Sequence, residues 1–228
     1  MATYLVTGAN RGIGYEYCKQ LQERGDDVIA TCRTSSAELD LLSHKAGVRV
    51  ETGVDIGDDD AIADLRSALD GQPIDVLINN AGIYRRSSLD ELNIEGIKEQ
   101  FEMNAIAPLK FTKALLPNLH QSQQTAKVAI MTSRMGSIDD NTSGSSYGYR
   151  MSKVAVSMAG KSLSHDLAPD KIAVAILHPG LVSTGMTNFI SHGISPTEAV
   201  AGLLKRIDAL TIENTGTFWH ANGEVLPW

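Results

Sequence analysis

Short apolar runs and longer amphipathic stretches alternate along the whole of this chain. Thr3–Thr7 reads as a short buried strand that runs straight into Gly8-Ala9-Asn10-Arg11-Gly12-Ile13-Gly14. A helix follows with Ile13, Tyr17 and Leu21 on one face, and it should end near Gly25. Further strands are expected over Asp27–Cys32, Val48–Val54, Ile74–Ile78, Lys127–Thr132, Ile172–Leu177 and Thr217–Trp219. Further helices are expected over Asp58–Leu69, Leu92–Leu116, Tyr149 to about Asp166, and Pro196–Arg206, the last with Ser195 as its N-cap and Glu198 three residues on. Pro108 lies inside the longest of these and should break or kink it. Arg85–Glu91 and Arg134–Ser146 read as loops. Strand-then-helix alternation of this kind implies an α/β fold: a doubly wound parallel sheet of about seven strands with helices on both faces. Without a shift in composition, a repeat or a low-complexity run, residues 1–228 form one domain.

Composition narrows the partners. A formal net charge of −7 and a pI near 5.3 argue against nucleic acid. No apolar run approaches the roughly 18–20 residues that span a membrane, so no membrane partner is expected. The first residues enter a strand pattern rather than a basic and apolar leader, and cytoplasmic placement is the simple expectation. Two cysteines, Cys18 and Cys32, are too few to suggest a disulfide framework or a metal site.

Candidate chemistry gathers after the strands. A strand, a glycine turn and a helix form the context of a dinucleotide site, where glycine lets backbone approach a pyrophosphate and the helix start offers unpaired N–H groups. The second strand ends Thr31-Cys32-Arg33 without the acid that would bond a ribose 2′-hydroxyl. Arg33 and Arg11 instead suit a 2′-phosphate, which favours NADP(H) over NAD; two ordinary surface arginines are the alternative. Asp55, followed by Ile56, could accept from an adenine amino group or cap the next helix. Asn79-Asn80-Ala81-Gly82 suits a turn whose side chains tie strands together and whose backbone lies along a cofactor, or an Asx turn alone. Asn104 is part of a proton path or a buried structural amide. Ser133, after the fifth strand, can donate to a substrate carbonyl. His178 is read as packed beside the Pro179-Gly180 turn rather than catalytic, and Thr184 could touch a nicotinamide or a phosphate. Tyr149 and Lys153 stand four apart on one helical face. A free phenol titrates near ~10, and a neighbouring ammonium lowers that value, making a general acid/base of the pair. Tyr147 also precedes Lys153 but lies on the wrong face.

Thr7-Gly8-x-x-x-Gly12-x-Gly14, Asn79-Asn80-Ala81-Gly82, Asn104, Ser133, Tyr149-x-x-x-Lys153 and Pro179-Gly180, in this order and over nearly the whole chain, resemble the short-chain dehydrogenase/reductase family. The Asn10–Gly14 turn, Arg33, Tyr147-Gly148-Tyr149 and the Leu226-Pro227-Trp228 end are similar to its carbonyl-reductase, Sniffer and C-factor-like branch. The resemblance implies a Rossmann-like domain that binds NADP(H) and reduces a small-molecule carbonyl (ketone, aldehyde or quinone-like). It gives Tyr149 as general acid/base, Lys153 as the group that lowers its pKa and holds the nicotinamide ribose, Ser133 as the polariser of the substrate oxygen, and Asn104 as support for a water. It assigns the cofactor to Gly8, Asn10, Arg11, Gly12, Ile13, Gly14, Arg33, Asp55, Ile56, Asn80, Ala81, Gly82, Tyr149, Lys153, Pro179, Gly180, Val182 and Thr184. Homodimers or homotetramers packed through Leu92–Leu116 and Tyr149–Asp166 are common in the family, with monomers in this branch. A cofactor-binding signalling or sensor protein with incidental turnover is the alternative. Fifteen residues separate Ser133 from Tyr149, a few more than the family usually has, and the extra ones around Asp139–Gly144 should bulge at the substrate mouth. The short segment after Gly180 suggests an open site and a permissive substrate range.

Overall fold

The computed structural model describes residues 1–228. Seven strands form one sheet, all pairs parallel: β1 (Thr3–Thr7), β2 (Asp27–Thr31), β3 (Val48–Glu51), β4 (Val76–Asn79), β5 (Ala126–Met131), β6 (Ile172–His178) and β7 (Phe218–His220). Their order is β3-β2-β1-β4-β5-β6-β7. The strand order reverses between β1 and β4, and open α/β sheets bind ligands beyond the carboxyl ends of the strands at such a point.

Successive side chains of a strand point to opposite faces. Tyr4 and Val6 join one apolar cluster and Leu5 the other. The first cluster packs against α1 (Gly12–Glu23) through Tyr17, Cys18 and Leu21, α2 (Ala37–Ser43) through Leu39 and Leu42, and the last helix, Pro196–Asp208, through Leu203 and Ile207. The second packs against α3 (Asp59–Ala68) through Ile62 and Leu65, and against later helices through Phe111, Leu115 and Val156. The sheet is thus buried on both faces, as the continuous apolar strands require.

Three boundaries differ from expectation for identifiable reasons. The expected helix over Leu92–Leu116 is α4 (Ile94–Phe101), a π-helical turn over Glu102–Ile106, α5 (Ala107–Ala114) and the short α6 (Leu116–Leu119). Pro108 has no N–H to give to Asn104, and the wider turn, in which Ala107 N–H reaches Glu102 O, accommodates it without a break. β3 stops at Glu51 rather than Val54, because Gly53 turns at φ +75° while Val54 N–H still reaches Cys32 O at 3.1 Å. The helix α2 has no counterpart among the expected elements: its apolar face is only Leu39 and Leu42, and its start rests on Ser36 Oγ accepting Leu39 N–H at 3.2 Å. Beyond β5, α7 spans Tyr147–Asp166 and α8 spans Pro196–Asp208, capped by Ser195 as expected.

Candidate active site

Parallel strands place Thr7, Asn79, Met131 and His178 at one edge of the sheet. The glycine turn leaves β1 there. Gly8 sits at φ +66°, where only glycine is unstrained. A Cβ on Gly14 would overlap Gly8 O and come within 2.6 Å of Asn80 Nδ2, so the turn has no room for a side chain. The first residue outside α1 is Arg11, whose side chain caps nothing. The helix therefore opens with free N–H groups and the positive end of its dipole toward solvent. These features fit an anionic pyrophosphate. Thr184, from the segment after β6, lies across the turn with Cγ2 3.6 Å from where a Gly12 Cβ would stand. Asn10 Nδ2 donates to Thr34 O at 2.8 Å, tying the turn to the end of β2.

The side chains of Asn79, the last residue of β4, and Asn80 tie neighbouring elements together. Asn80 Nδ2 donates to Thr7 O at 2.9 Å, joining β4 to β1, and Asn79 Nδ2 donates to Thr112 Oγ1 at 2.9 Å in α5. Thr7 Oγ1 accepts from Asn80 N and Ala81 N, each at 3.0 Å, which holds the Ala81-Gly82 backbone against the glycine turn.

Arg33 is exposed, and its Nη1 lies 3.7 Å from Asp55 Oδ2. Asp55 does not cap α3: its Oδ1 accepts Gly57 N–H at 3.0 Å, while Asp58 accepts from Asp60 and Ala61 at the helix start. Capping by Asp55 is thereby corrected, since the residue one turn later reaches those N–H groups. Ile56 is buried, and Arg11 is exposed.

Asn104 is 1% exposed within the π-helical turn. Its Oδ1 accepts Ile83 N–H at 2.8 Å; its Nδ2 donates to Ile83 O at 2.9 Å and Ser152 Oγ at 3.0 Å. Both side-chain N–H groups and one lone pair of Oδ1 are thus engaged in structure.

Ser133 is buried at the end of β5, and its Oγ accepts Met135 N–H at 3.1 Å. That bond takes a lone pair and leaves the hydroxyl proton to be donated. The hydroxyl stands beside the Tyr149 phenol despite the longer spacing between them. The intervening residues 138–145 form an exposed loop, as expected. Arg150 secures it from α7: its Nη2 donates to Ser143 Oγ at 2.9 Å and its Nε to Gly144 O at 3.1 Å. Tyr147 opens α7 at the surface.

Tyr149 and Lys153 share a face, with Nζ 5.7 Å from the ring centroid. Their electrostatics differ from expectation. Burial pushes the Tyr149 phenol up to about 12, opposed by Ser133, rather than down. Lys153 is only 5% exposed, and burial pushes its ammonium down to about 8. Nζ donates to Met131 O at 2.9 Å, so the charge is spent on the end of β5 rather than on the phenol. A Gly82 Cβ would stand 3.6 Å from Nζ, which places the Asn80–Gly82 backbone beside this lysine.

His178 packs edge-to-face on His220, with centroids 4.9 Å apart, and burial together with His220, Arg134 and Lys153 pushes it down to about 3. It stays neutral, in agreement with a packing role. Gly180 turns at φ +89°, and Val182 is buried and bridges to Ile194. Sequence reasoning missed Tyr84, whose ring meets Tyr149 edge-to-face at 5.3 Å. Its only signal was its position two residues beyond Gly82.

A family profile for short chain dehydrogenases matches residues 2–195. The chain is 41% identical to 1-hydroxy-2-glutathionyl-2-methyl-3-butene dehydrogenase of Rhodococcus sp. (strain AD45), with both chains covered in full. It is 42% identical to the C-signal protein of Myxococcus xanthus over 68% of this chain and 93% of that one. Among solved structures it is similar to the NADPH-bound carbonyl reductase from chicken fatty liver (TM-score 0.91, 30% identity, covering 100% of this chain and 99% of the other). It is equally similar to the carbonyl reductase Sniffer of D. melanogaster (TM-score 0.91, 30% identity, both chains covered in full). The sheet agrees with these structures, and the chain belongs to the short chain dehydrogenase family.

Proposed function

We propose that this oxidoreductase reduces a small carbonyl compound with NADPH, with Tyr149 as the general acid. The observation that carries the reading is the convergence of Ser133, Tyr149 and Lys153 at the sheet edge that also holds the glycine turn. The turn of Gly8, Asn10, Arg11, Gly12, Ile13 and Gly14 would hold the pyrophosphate. Arg11 and Arg33 would hold the 2′-phosphate, with Asp55 and Ile56 at the adenine. Asn80, Ala81, Gly82, Pro179, Gly180, Val182 and Thr184 would line the nicotinamide half. NADPH, when bound, supplies the hydride.

Ser133 donates its free proton to the substrate oxygen and orients it. A phenol held near 12 is fully protonated at neutral pH, as a proton donor to a developing alkoxide must be. Lys153, already destabilised as a cation, gains from a hydroxyl acceptor such as a ribose. Developing negative charge at Tyr149 restores its preference for the charged form. Asn104 fixes the Ile83 backbone beside this group.

NADPH oxidation over a panel of ketones, aldehydes and quinones tests the reading, with NADH in parallel and Tyr149→Phe as control. Turnover with NADPH that disappears in Tyr149→Phe is the expected result. Turnover with NADH alone would keep the chemistry and remove the arginine argument.

A second reading, a nucleotide-binding signalling protein, takes its support from the C-signal relative. A protein that only binds nucleotide needs neither a buried lysine nor a phenol beside a serine, which favours the enzyme. The full-length likeness to a dehydrogenase of a glutathionyl alcohol supports assaying such alcohols in the oxidative direction as well.

A further inference from the structure

Two successive serines at the start of α7 have left-handed backbone, Ser145 at φ 59° and Ser146 at φ 50°. Such residues persist only where their surroundings over-determine them, and they cluster at working sites. The surroundings are the segment beyond Gly82. Ser87 O accepts Ser146 N–H at 2.8 Å and Ser145 Oγ–H at 3.2 Å. The buried Ser87 Oγ accepts Gly148 N–H at 3.4 Å. From the same segment, the Tyr84 hydroxyl lies 3.2 Å from Ser146 Oγ. The Tyr84 ring meets the Tyr149 ring edge-to-face, with centroids 5.3 Å apart and planes 80° apart, a favoured geometry for an aromatic pair. One short segment thus touches both the Tyr149 ring and the backbone from which its helix starts.

We propose that Tyr84 is a positioning residue: its ring holds the Tyr149 phenol at the angle at which it meets the substrate oxygen, while Ser87 fixes the turn that carries it. The proposal rests on the reading of Tyr149 as general acid. A tyrosine side chain has two rotatable bonds, Lys153 is occupied with Met131 O, and the Ser133 hydroxyl meets the phenol only at its oxygen. The Tyr84 ring restrains the phenol from the open side of the site, where Tyr84 is itself 37% exposed.

The test compares Tyr84→Leu, Tyr84→Gln and Tyr84→Phe with Tyr149→Phe. The two variants without a ring should lose about 10- to 100-fold in kcat, the scale set by small misplacements of a reacting group, with KM for NADPH unchanged. Tyr84→Phe should stay within about threefold of the parent, because the ring alone restores the contact. Ultraviolet difference titration supplies a readout that needs no substrate. The Tyr149 phenolate, identified by its loss in Tyr149→Phe, should form at lower pH once the ring is gone and water reaches it. Parent-like kcat in Tyr84→Leu and Tyr84→Gln, an unmoved titration, or equal damage in Tyr84→Phe would each overturn the proposal. So would loss of the fold in both ringless variants, which would make the contact structural. Full turnover in Tyr149→Phe would overturn the general-acid reading and this proposal with it. An inactive Tyr149→Phe beside an unimpaired Tyr84→Leu would overturn the proposal alone.

Discussion

The Asn104 amide grips the backbone of Ile83 from both sides, accepting its N–H at 2.8 Å and donating to its carbonyl at 2.9 Å. The arrangement reproduces a strand-like pairing between a helix side chain and a loop. Removing it strands a partly buried donor and a partly buried acceptor, each costing about 1–2 kcal/mol, the lower part of the range for unsatisfied groups because solvent partly reaches Ile83. Asn104→Ala should therefore lower unfolding free energy by about 2–4 kcal/mol. A urea midpoint unchanged from the parent would contradict this.

Loss of the proton donor should be more severe for rate than for stability. Tyr149→Phe should reduce kcat by about 10²–10⁴-fold, the usual range for a general acid, while NADPH binding stays near the parent value. Fluorescence titration of NADPH beside steady-state kinetics separates the two effects.

The buried lysine sets a pH dependence of stability. Its folded pKa, about 8, lies below its ordinary value. The unfolded chain therefore binds more protons between about 8 and 10.5, and stability rises with pH across that window. Tyr149 acts oppositely: its pKa is raised to about 12, so its contribution is complete below about 10 and is lost as pH rises through 12. The pair predicts a stability maximum near pH 10. Lys153→Met should stabilise the protein at pH 7 by ~1–3 kcal/mol while abolishing turnover. Each tenfold loss of proton affinity on folding corresponds to about 1.4 kcal/mol, and the lost bond to Met131 O offsets part of the gain. Equal urea midpoints for parent and variant from pH 7 to 10 would refute it.

Cofactor choice should reside in two exposed arginines. A charge-assisted hydrogen bond contributes about 1.5–3 kcal/mol, so Arg33→Ala should raise KM for NADPH by about tenfold or more and leave NADH unaffected. Arg33 already shares its charge with Asp55 at 3.7 Å, so Asp55→Asn should shift preference further toward NADPH. Parallel kinetics with both cofactors decide.

Gly14→Ala should disable cofactor binding even if the fold survives, since the methyl group would displace Gly8 O and the Asn80 amide together. Overpacking of this kind costs about 1–3 kcal/mol. Retained NADPH affinity in a folded Gly14→Ala protein would contradict the assigned cradle.

Much of this architecture was readable because its causes are local or periodic. β1 fell on its expected residues, and the glycine turn follows it directly. The remaining strands began or ended within a few residues of expectation, since buried parallel strands are continuous apolar runs. The α2 helix was invisible because two leucines give no period. The π-helical turn was invisible because a proline in a helical stretch specifies a disturbance but not its form. Within the site, Tyr149, Lys153 and Ser133 were legible as residue types at fixed spacings. The direction in which the Tyr149 pKa moves was not, because it depends on how deeply other elements bury the phenol, which residue types and spacings do not show. Tyr84 was hidden for the same reason: its partner is a contact across 65 positions of sequence.

The sheet order also bears on how the chain is made. β1 is made before the other strands yet ends inside the sheet, hydrogen-bonded to β2 on one side and β4 on the other. Tyr4 must wait for Val76, about seventy residues later, to find its second neighbour. At 5–20 residues per second that is roughly four to fourteen seconds with an apolar strand edge uncovered. The glycine cradle, whose Asn80 amide arrives only with β4, cannot assemble before then. A nascent chain paused short of Asn80 would display an aggregation-prone edge and no capacity to be rescued by nucleotide, so synthesis past β4 is the step at which a cofactor could first act as a folding aid.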